Sequence, residues 1–183
     1  MPTVLTMRLA TSADRPAVAE MIRARCDWME RRGIPSWRPS LDDLVSQCDN
    51  PCEDVWLLEQ DGARIIGRIT AQTQGPPWWT EEELAAPALY INTSLTDPAV
   101  HGRRLGELMA HWAVDRAARQ GLEWVRRDTP WPRLAEYNRS QGFRLVREVP
   151  RTHVTLFLLA RRAEPLDLAA WFRTGTPGPP CPA

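Results

Sequence analysis

Lysine is absent from this chain: every one of the 23 basic residues is arginine. The protein therefore has no side-chain amine of its own to act as a nucleophile or a Schiff-base former. Acidic residues also number 23, and the formal net charge of zero supplies no overall field to attract a polyanion, so nucleic acid is not an expected partner. No apolar run approaches the roughly twenty residues of a membrane-spanning helix. Met1 to Ala10 lacks the basic start, long apolar stretch and small-residue cleavage site of a secretory leader. No membrane partner and a cytoplasmic location are expected. Cysteine is scarce, and Cys26, Cys48, Cys52 and Cys181 are too scattered for a disulfide framework. Cys48 and Cys52 have the spacing of half a zinc site, but His101, His111 and His153 are isolated and offer no second pair, so no metal is expected. Phenylalanine (three) and tyrosine (two) are also few.

Tryptophan is the contrast, with nine copies. Most tryptophans fill cores, but Trp37, Trp78 and Trp79 lie in proline-containing stretches where a loop role is the sharper reading. At 183 residues, 43% hydrophobic and 25% charged, the composition is that of one globular domain. That domain is expected over residues 1–173, followed by a proline-rich, irregular tail at 174–183.

The periodicity alternates between types. Strand patterns are expected at Val4–Ala10, Val55–Gln60, Arg64–Thr73, Ala88–Thr96, Leu122–Arg126, Phe143–Val149 and His153–Ala160. Asp61 and Gly62 join two of them as a tight hairpin. Helical patterns follow Thr11 and Ser12 up to Gly33, and occupy Leu41–Cys48, Leu105–Gln120 and Arg133–Ser140. Gly75 to Pro87 reads as a loop. The order is that of an α+β (mixed α/β) fold with a strand, helix, strand unit at its middle.

That unit carries the chemistry. Between its first strand and its helix lies HGRRLG, His101 to Gly106: two glycines, two arginines and a helix start. Unpaired N–H groups of a first helical turn and the positive end of the dipole form a cradle for an anion, and glycine permits close approach. The segment lacks the GxxxxGK[ST] of a P-loop and the full GxGxxG of a dinucleotide fingerprint. Glu81, Glu82 and Glu83 in the preceding loop are candidates to attract or deprotonate an ammonium group, against the plainer reading of a solvated acidic run.

In this context the segment resembles motif A of the GNAT N-acetyltransferase superfamily, [Q/R]-x-x-G-x-[G/A] between a strand and a helix. His101 stands where the family has glutamine or arginine, Arg104 stands at the first motif glycine, and Gly106 keeps the last. Trp112 to Gly121 and Pro132 to Phe143 resemble the second half of the family's motif helix and its late helix with closing glycine and phenylalanine. The resemblance covers roughly Met7 to Ala160. It implies a central mixed sheet of about seven strands flanked by helices, and acetyl-CoA as co-substrate. It assigns Ser94, Leu95 and Thr96 to the pantetheine arm and His101, Gly102, Arg103, Arg104, Leu105 and Gly106 to the pyrophosphate. The implied reaction is direct attack of a primary amine of a small molecule, peptide or protein on the thioester. The family's usual general acid is a tyrosine four residues before the closing glycine. Here that position is Asn138, with Tyr137 one place earlier, and both are candidates. Trp37, Trp78, Trp79 and Glu82 are candidates for the acceptor pocket. A non-catalytic acyl-CoA-binding module of the same fold is the alternative, and a homodimer is compatible with either.

Overall fold

The computed structural model describes residues 4–50 and 54–172. Cys52, Cys181 and the expected tail at 174–183 lie outside the described residues. The strands are β1 (Leu5–Leu9), β2 (Val55–Gln60), β3 (Arg64–Gln72), β4 (Ala88–Thr96), β5 (Trp124–Thr129), β6 (Arg144–Pro150) and β7 (Thr155–Arg162). The α-helices are α1 (Arg15–Glu30), α2 (Leu41–Ser46), α3 (Glu81–Ala85), α4 (Leu105–Arg119) and α5 (Pro132–Arg139). Strand order in the sheet is β1-β2-β3-β4-β5-β7-β6. β4 and β5 are parallel, and the pairs β1/β2, β2/β3, β5/β7 and β6/β7 are antiparallel.

The chain divides into two compact units. The first comprises residues up to Thr70, Thr93–Gly106 and those from Leu168 on; the second comprises Ala71–Asn92 and Glu107–Asp167.

In the first unit, Val18, Met21, Ile22 and Cys26 recur at helical spacing along α1. They pack with Leu44 and Val45 of α2, and with Val55, Leu57, Ile65 and Leu95 from the strands. The hairpin between β2 and β3 turns through Asp61 and Gly62, both with positive φ (54° and 71°), as the Asp-Gly pair predicts. Arg68, fully buried on β3, is a cation inside this core. It is accommodated because its guanidinium donates to the Leu44 carbonyl (2.7 Å), Gln47 Oε1 (2.8 Å) and Thr70 Oγ1 (3.2 Å).

In the second unit, Trp79, Ala88, Tyr90 and Leu158 form a buried cluster, with Trp78, Trp124, Val149 and Leu156 packed against it. Residues 81–85 are helical, not loop. Thr80 caps α3 by accepting from the Glu83 N–H while the Glu83 carboxylate accepts from the Thr80 N–H. This is a T-x-x-E capping box, legible in the sequence. β5 starts two residues later than expected and extends to Thr129, carrying Arg126 and Arg127 inward as buried residues.

Candidate functional site

β4 and β5 diverge. Their parallel ladder pairs Ala88 with Trp124, Leu89 with Val125 and Tyr90 with Arg126, and goes no further. β4 nevertheless continues to Thr96. β5 runs on through Arg127, Asp128 and Thr129, held on its other side by Leu159, Leu158 and Phe157 of β7. At Thr93 the backbone of β4 enters the left-handed region (φ 47°), which bends the strand as a bulge does. Downstream of that bend Leu95 is buried and packs in the first unit's core, so of the three expected pantetheine residues it offers only its main chain. The Ser94 hydroxyl is buried and has no hydrogen-bond partner. An unmet hydroxyl of this kind costs about 1–3 kcal/mol, and an amide-bearing arm laid along the strand would satisfy it.

The loop after β4 is built from fixed points. Asp97 Oδ1 accepts from the Ala99 N–H (2.8 Å) and so caps a 3-10 turn at Pro98–Val100, while its Oδ2 accepts from Arg64 (2.5 Å). His101 Nδ1 donates to the Pro98 carbonyl (2.9 Å), which leaves Nε2 turned away from that bond. Arg103 donates to Gln60 Oε1 (2.9 Å). Gly102 (φ 82°) and Arg104 (φ 53°) are both left-handed, and the chain then enters α4 at Leu105, whose side chain is buried. The arrangement ends at the first turn of a fifteen-residue helix, preceded by an exposed stretch from His101 to Arg104. A helix start directs its first N–H groups and the positive end of its dipole outward, chemistry that suits an anion. Motif A has glycine at the place of Arg104, and the left-handed backbone found there is the physical reason for that preference.

The remaining candidates lie in the second unit, except Trp37, which is exposed in the first. On α5 the two candidates for the acid separate cleanly. Tyr137 is 40% exposed and Asn138 is 0% exposed, so Asn138 occupies the inward position. Neither Asn138 Oδ1 nor Nδ2 has a hydrogen-bond partner, and the same holds for the buried amide of Gln141 one turn on. Arg127 lies 5.6 Å from the Phe143 ring. Burial pulls its pKa down to about 10, opposed by the nearby Tyr137 and Asp128.

The loop before β4 is pinned firmly. Trp79 is buried against Tyr90 (ring centroids 5.9 Å apart); it is a core residue and holds the loop in place. Arg126 donates to the Tyr90 hydroxyl (2.8 Å) and to the Glu83 carbonyl. Arg147 grips the Glu83 carboxylate with two donors (3.1 and 2.9 Å) and the Trp78 carbonyl (2.6 Å). These bonds lower the Glu83 pKa to about 2, so Glu83 is a structural anion and a weak base. Glu81 and Glu82 are exposed on α3. A cavity of about 850 Å³ in this unit is lined by Trp79, Trp124, Arg126, His111 and Gln141 among others.

Sequence reasoning missed Asp128. It is half-buried near the end of β5 and accepts a hydrogen bond from Trp78 Nε1 (3.1 Å). Burial raises its pKa, against the lowering effects of that bond and of Arg127. The signal was obscured because R-R-D-T-P reads as the polar end of a strand.

Comparison with known proteins agrees with this geometry. The fold is similar to a GNAT-family acetyltransferase from Listeria monocytogenes (TM-score 0.70, 16% identity, covering 86% of this chain and 94% of that one). It is also similar to AAC(6')-Ib in complex with ribostamycin and coenzyme A (TM-score 0.67, 20% identity, 87% and 93%). A third is the polyamine N-acetyltransferase of Drosophila melanogaster, which catalyses formation of N-acetylagmatine (TM-score 0.60, 13% identity, 86% and 99%). No curated protein sequence matches the chain. The model of the Acetyltransferase (GNAT) family matches residues 20–143, more than half of the chain, and the protein belongs to that family.

Proposed function

We propose that the protein transfers the acetyl group of acetyl-CoA to a primary amine of a small molecule, peptide or protein, by direct attack within a ternary complex. The observation that carries this reading is the ladder between β4 and β5 that stops at Tyr90 and Arg126. It leaves the main chain of β4 beyond that point to pair with a ligand that carries amides. The loop at Gly102 and Arg104 then offers the first turn of α4 to a diphosphate, with His101, Arg103 and Arg104 beside it. The amine acceptors in the relatives' names, an aminoglycoside among them, support an amine for this chain too.

In this reading Ser94 and the Leu95 and Thr96 main chain hold the pantetheine. The amine nitrogen forms a bond to the thioester carbon, the C–S bond breaks, and the sulfur leaves as thiolate. The Asn138 amide donates a hydrogen bond to that sulfur and solvent supplies its proton, because an amide is not an acid near neutral pH. Trp37, Trp78 and Glu82 border the acceptor.

Calorimetry with acetyl-CoA, joined to CoA-release assays over a panel of amines, tests the proposal. Saturable binding with amine-dependent CoA release is expected. Absence of acetyl-CoA binding overturns it, and tight binding without release on any amine favours a binding module.

A further inference from the structure

The acceptor amine arrives at neutral pH as an ammonium and must shed a proton as its nitrogen attacks. Glu83 is consumed by Arg147 and by its cap, and Glu81 and Glu82 are exposed on α3. Asp128 differs from all three. It sits on β5 two residues past the last residue paired with β4. Its side chain shares a sheet face with Arg126, alternating with Arg127.

Although the chain contains 23 arginines, none of them forms an ion pair with Asp128 among the described residues. Among the described residues only Trp78 hydrogen-bonds to its side chain, through one carboxylate oxygen, and Arg127 acts on it through charge alone. The charged neighbours are otherwise engaged. Arg126 is bound by Tyr90 and Glu83, Arg147 by Glu83 and the Trp78 carbonyl, and Arg151 lies 5.8 Å from the Trp78 ring. Arg127 stacks toward Phe143, and the β7 residue opposite Asp128 is Leu158. A carboxylate held by an indole and hydrogen-bonded to no cation among the described residues is suited to receive one, since the ammonium gains an ion pair and an aromatic edge together.

We propose that Asp128 is the catalytic carboxylate that binds the acceptor's ammonium and takes the proton its nitrogen loses, with Trp78 orienting it. The inference rests on the acetyltransferase reading above. Asp128 first takes a proton from the ammonium and passes it to solvent, which frees the nitrogen lone pair; as the C–N bond forms, a second N–H bond breaks and its proton passes to the free oxygen of Asp128. The C–S bond breaks, the thiolate is protonated from solvent, and Asp128 returns its proton to solvent. The products are the acetamide and CoA, with one net proton released from the ammonium. The site therefore selects amines that are cationic at neutral pH.

The test compares wild type with D128N, which keeps shape and an acceptor for Trp78. Acetyl-CoA affinity is read by calorimetry. kcat/KM is read across pH with an aliphatic diamine and with an aromatic amine that is already neutral at pH 7. The expected result is a fall of about 100-fold or more for the diamine, with loss of the limb that rises from acid pH. The loss for the aromatic amine is expected to be about 5-fold or less, with acetyl-CoA affinity unchanged. Because burial disfavours the Asp128 charge, D128N is also expected to melt no lower than wild type. If D128N binds acetyl-CoA normally and keeps its diamine kcat/KM and its pH profile, or loses both amines equally, the role of Asp128 is overturned while the acetyltransferase reading stands. If wild type itself binds no acetyl-CoA, that reading fails and this inference with it.

Discussion

Arg104 and Asn138 are both locally unfavourable, and both fall where the family's motif has a different residue. A non-glycine residue in the left-handed region costs about 1–2 kcal/mol, and Arg104 accepts that cost at φ 53° where a motif glycine would not. Its guanidinium is what the substitution adds: a positive charge beside an anion seat in a chain without lysine. Asn138 is the sharper case. A fully buried amide with neither polar atom partnered costs about 1–3 kcal/mol. An apolar residue of similar size should remove that cost, so Asn138→Leu is expected to raise stability by about 1 kcal/mol in urea unfolding. The same change is expected to lower amine-dependent CoA release by about tenfold or more, since it deletes the donor assigned to the sulfur. Tyr137→Phe should leave release within about twofold, because Tyr137 is 40% exposed and is placed to meet water. Equal losses in the two variants would return Tyr137 to the reaction. The register between these neighbours was open in the sequence because one step along a helix turns a side chain by about 100°. Burial shows which side chain points inward, Asn138, and which meets solvent, Tyr137.

Among the elements, β1 and α1 are tied by charge. Arg8 on β1 donates two bonds to Asp14 (2.8 and 2.9 Å) and one to Glu59 on β2 (2.8 Å), while the Thr11 N–H and hydroxyl also donate to Asp14. The Arg8 bonds above all lower the Asp14 pKa from 3.8 to about 2. A carboxylate whose folded pKa lies below its unfolded value stabilises the fold fully above the unfolded value. That stabilisation is lost as pH falls through the folded one. Asp14→Asn is therefore expected to destabilise by about 1–2 kcal/mol at pH 7, and its melting curve should converge on wild type as pH drops from about 4 toward 2. A gap that persisted at the lowest pH would mean that packing, not charge, carries the tie.

Elements of this kind were legible to different degrees. β4 matches its expected span because apolar residues and a terminal Asp-Pro mark both ends. β5 was misplaced because Arg126 and Arg127 are buried through partners distant in sequence, the Tyr90 hydroxyl and the Phe143 ring, which no local pattern reveals. The loop before α4 could be read from its glycines together with the helical period that follows them. Asp128 could not, because its distinction is a carboxylate hydrogen-bonded to an indole and to no arginine among the described residues, and that pairing exists only in three dimensions.

For the whole molecule, zero net charge sets how an anionic ligand can be held. With basic and acidic residues equal in number, attraction for an anion must come from donors within a few ångströms, which in the proposed reading are the first turn of α4 and the arginines beside it. Such short-range contacts are screened less than a diffuse field, whose reach is about 10 Å at 0.1 M salt. A ligand that binds only the folded chain adds RT ln(1 + [L]/Kd), about 2.7 kcal/mol at a hundredfold excess over Kd. In a chain of this length that corresponds to a rise of roughly 5–10 °C in melting temperature. Acetyl-CoA is therefore expected to raise the melting temperature by this amount in 0.1 M salt, and to keep most of the effect at 0.5 M. Gly106→Glu, which brings a carboxylate to the first turn of α4, should abolish the rise while the unliganded protein still melts cooperatively. A shift that vanished at 0.5 M salt in wild type, or survived in Gly106→Glu, would place the diphosphate on a surface other than this loop. In that case the unpaired main chain of β4 beyond Tyr90 would lose its proposed role as the pantetheine strand.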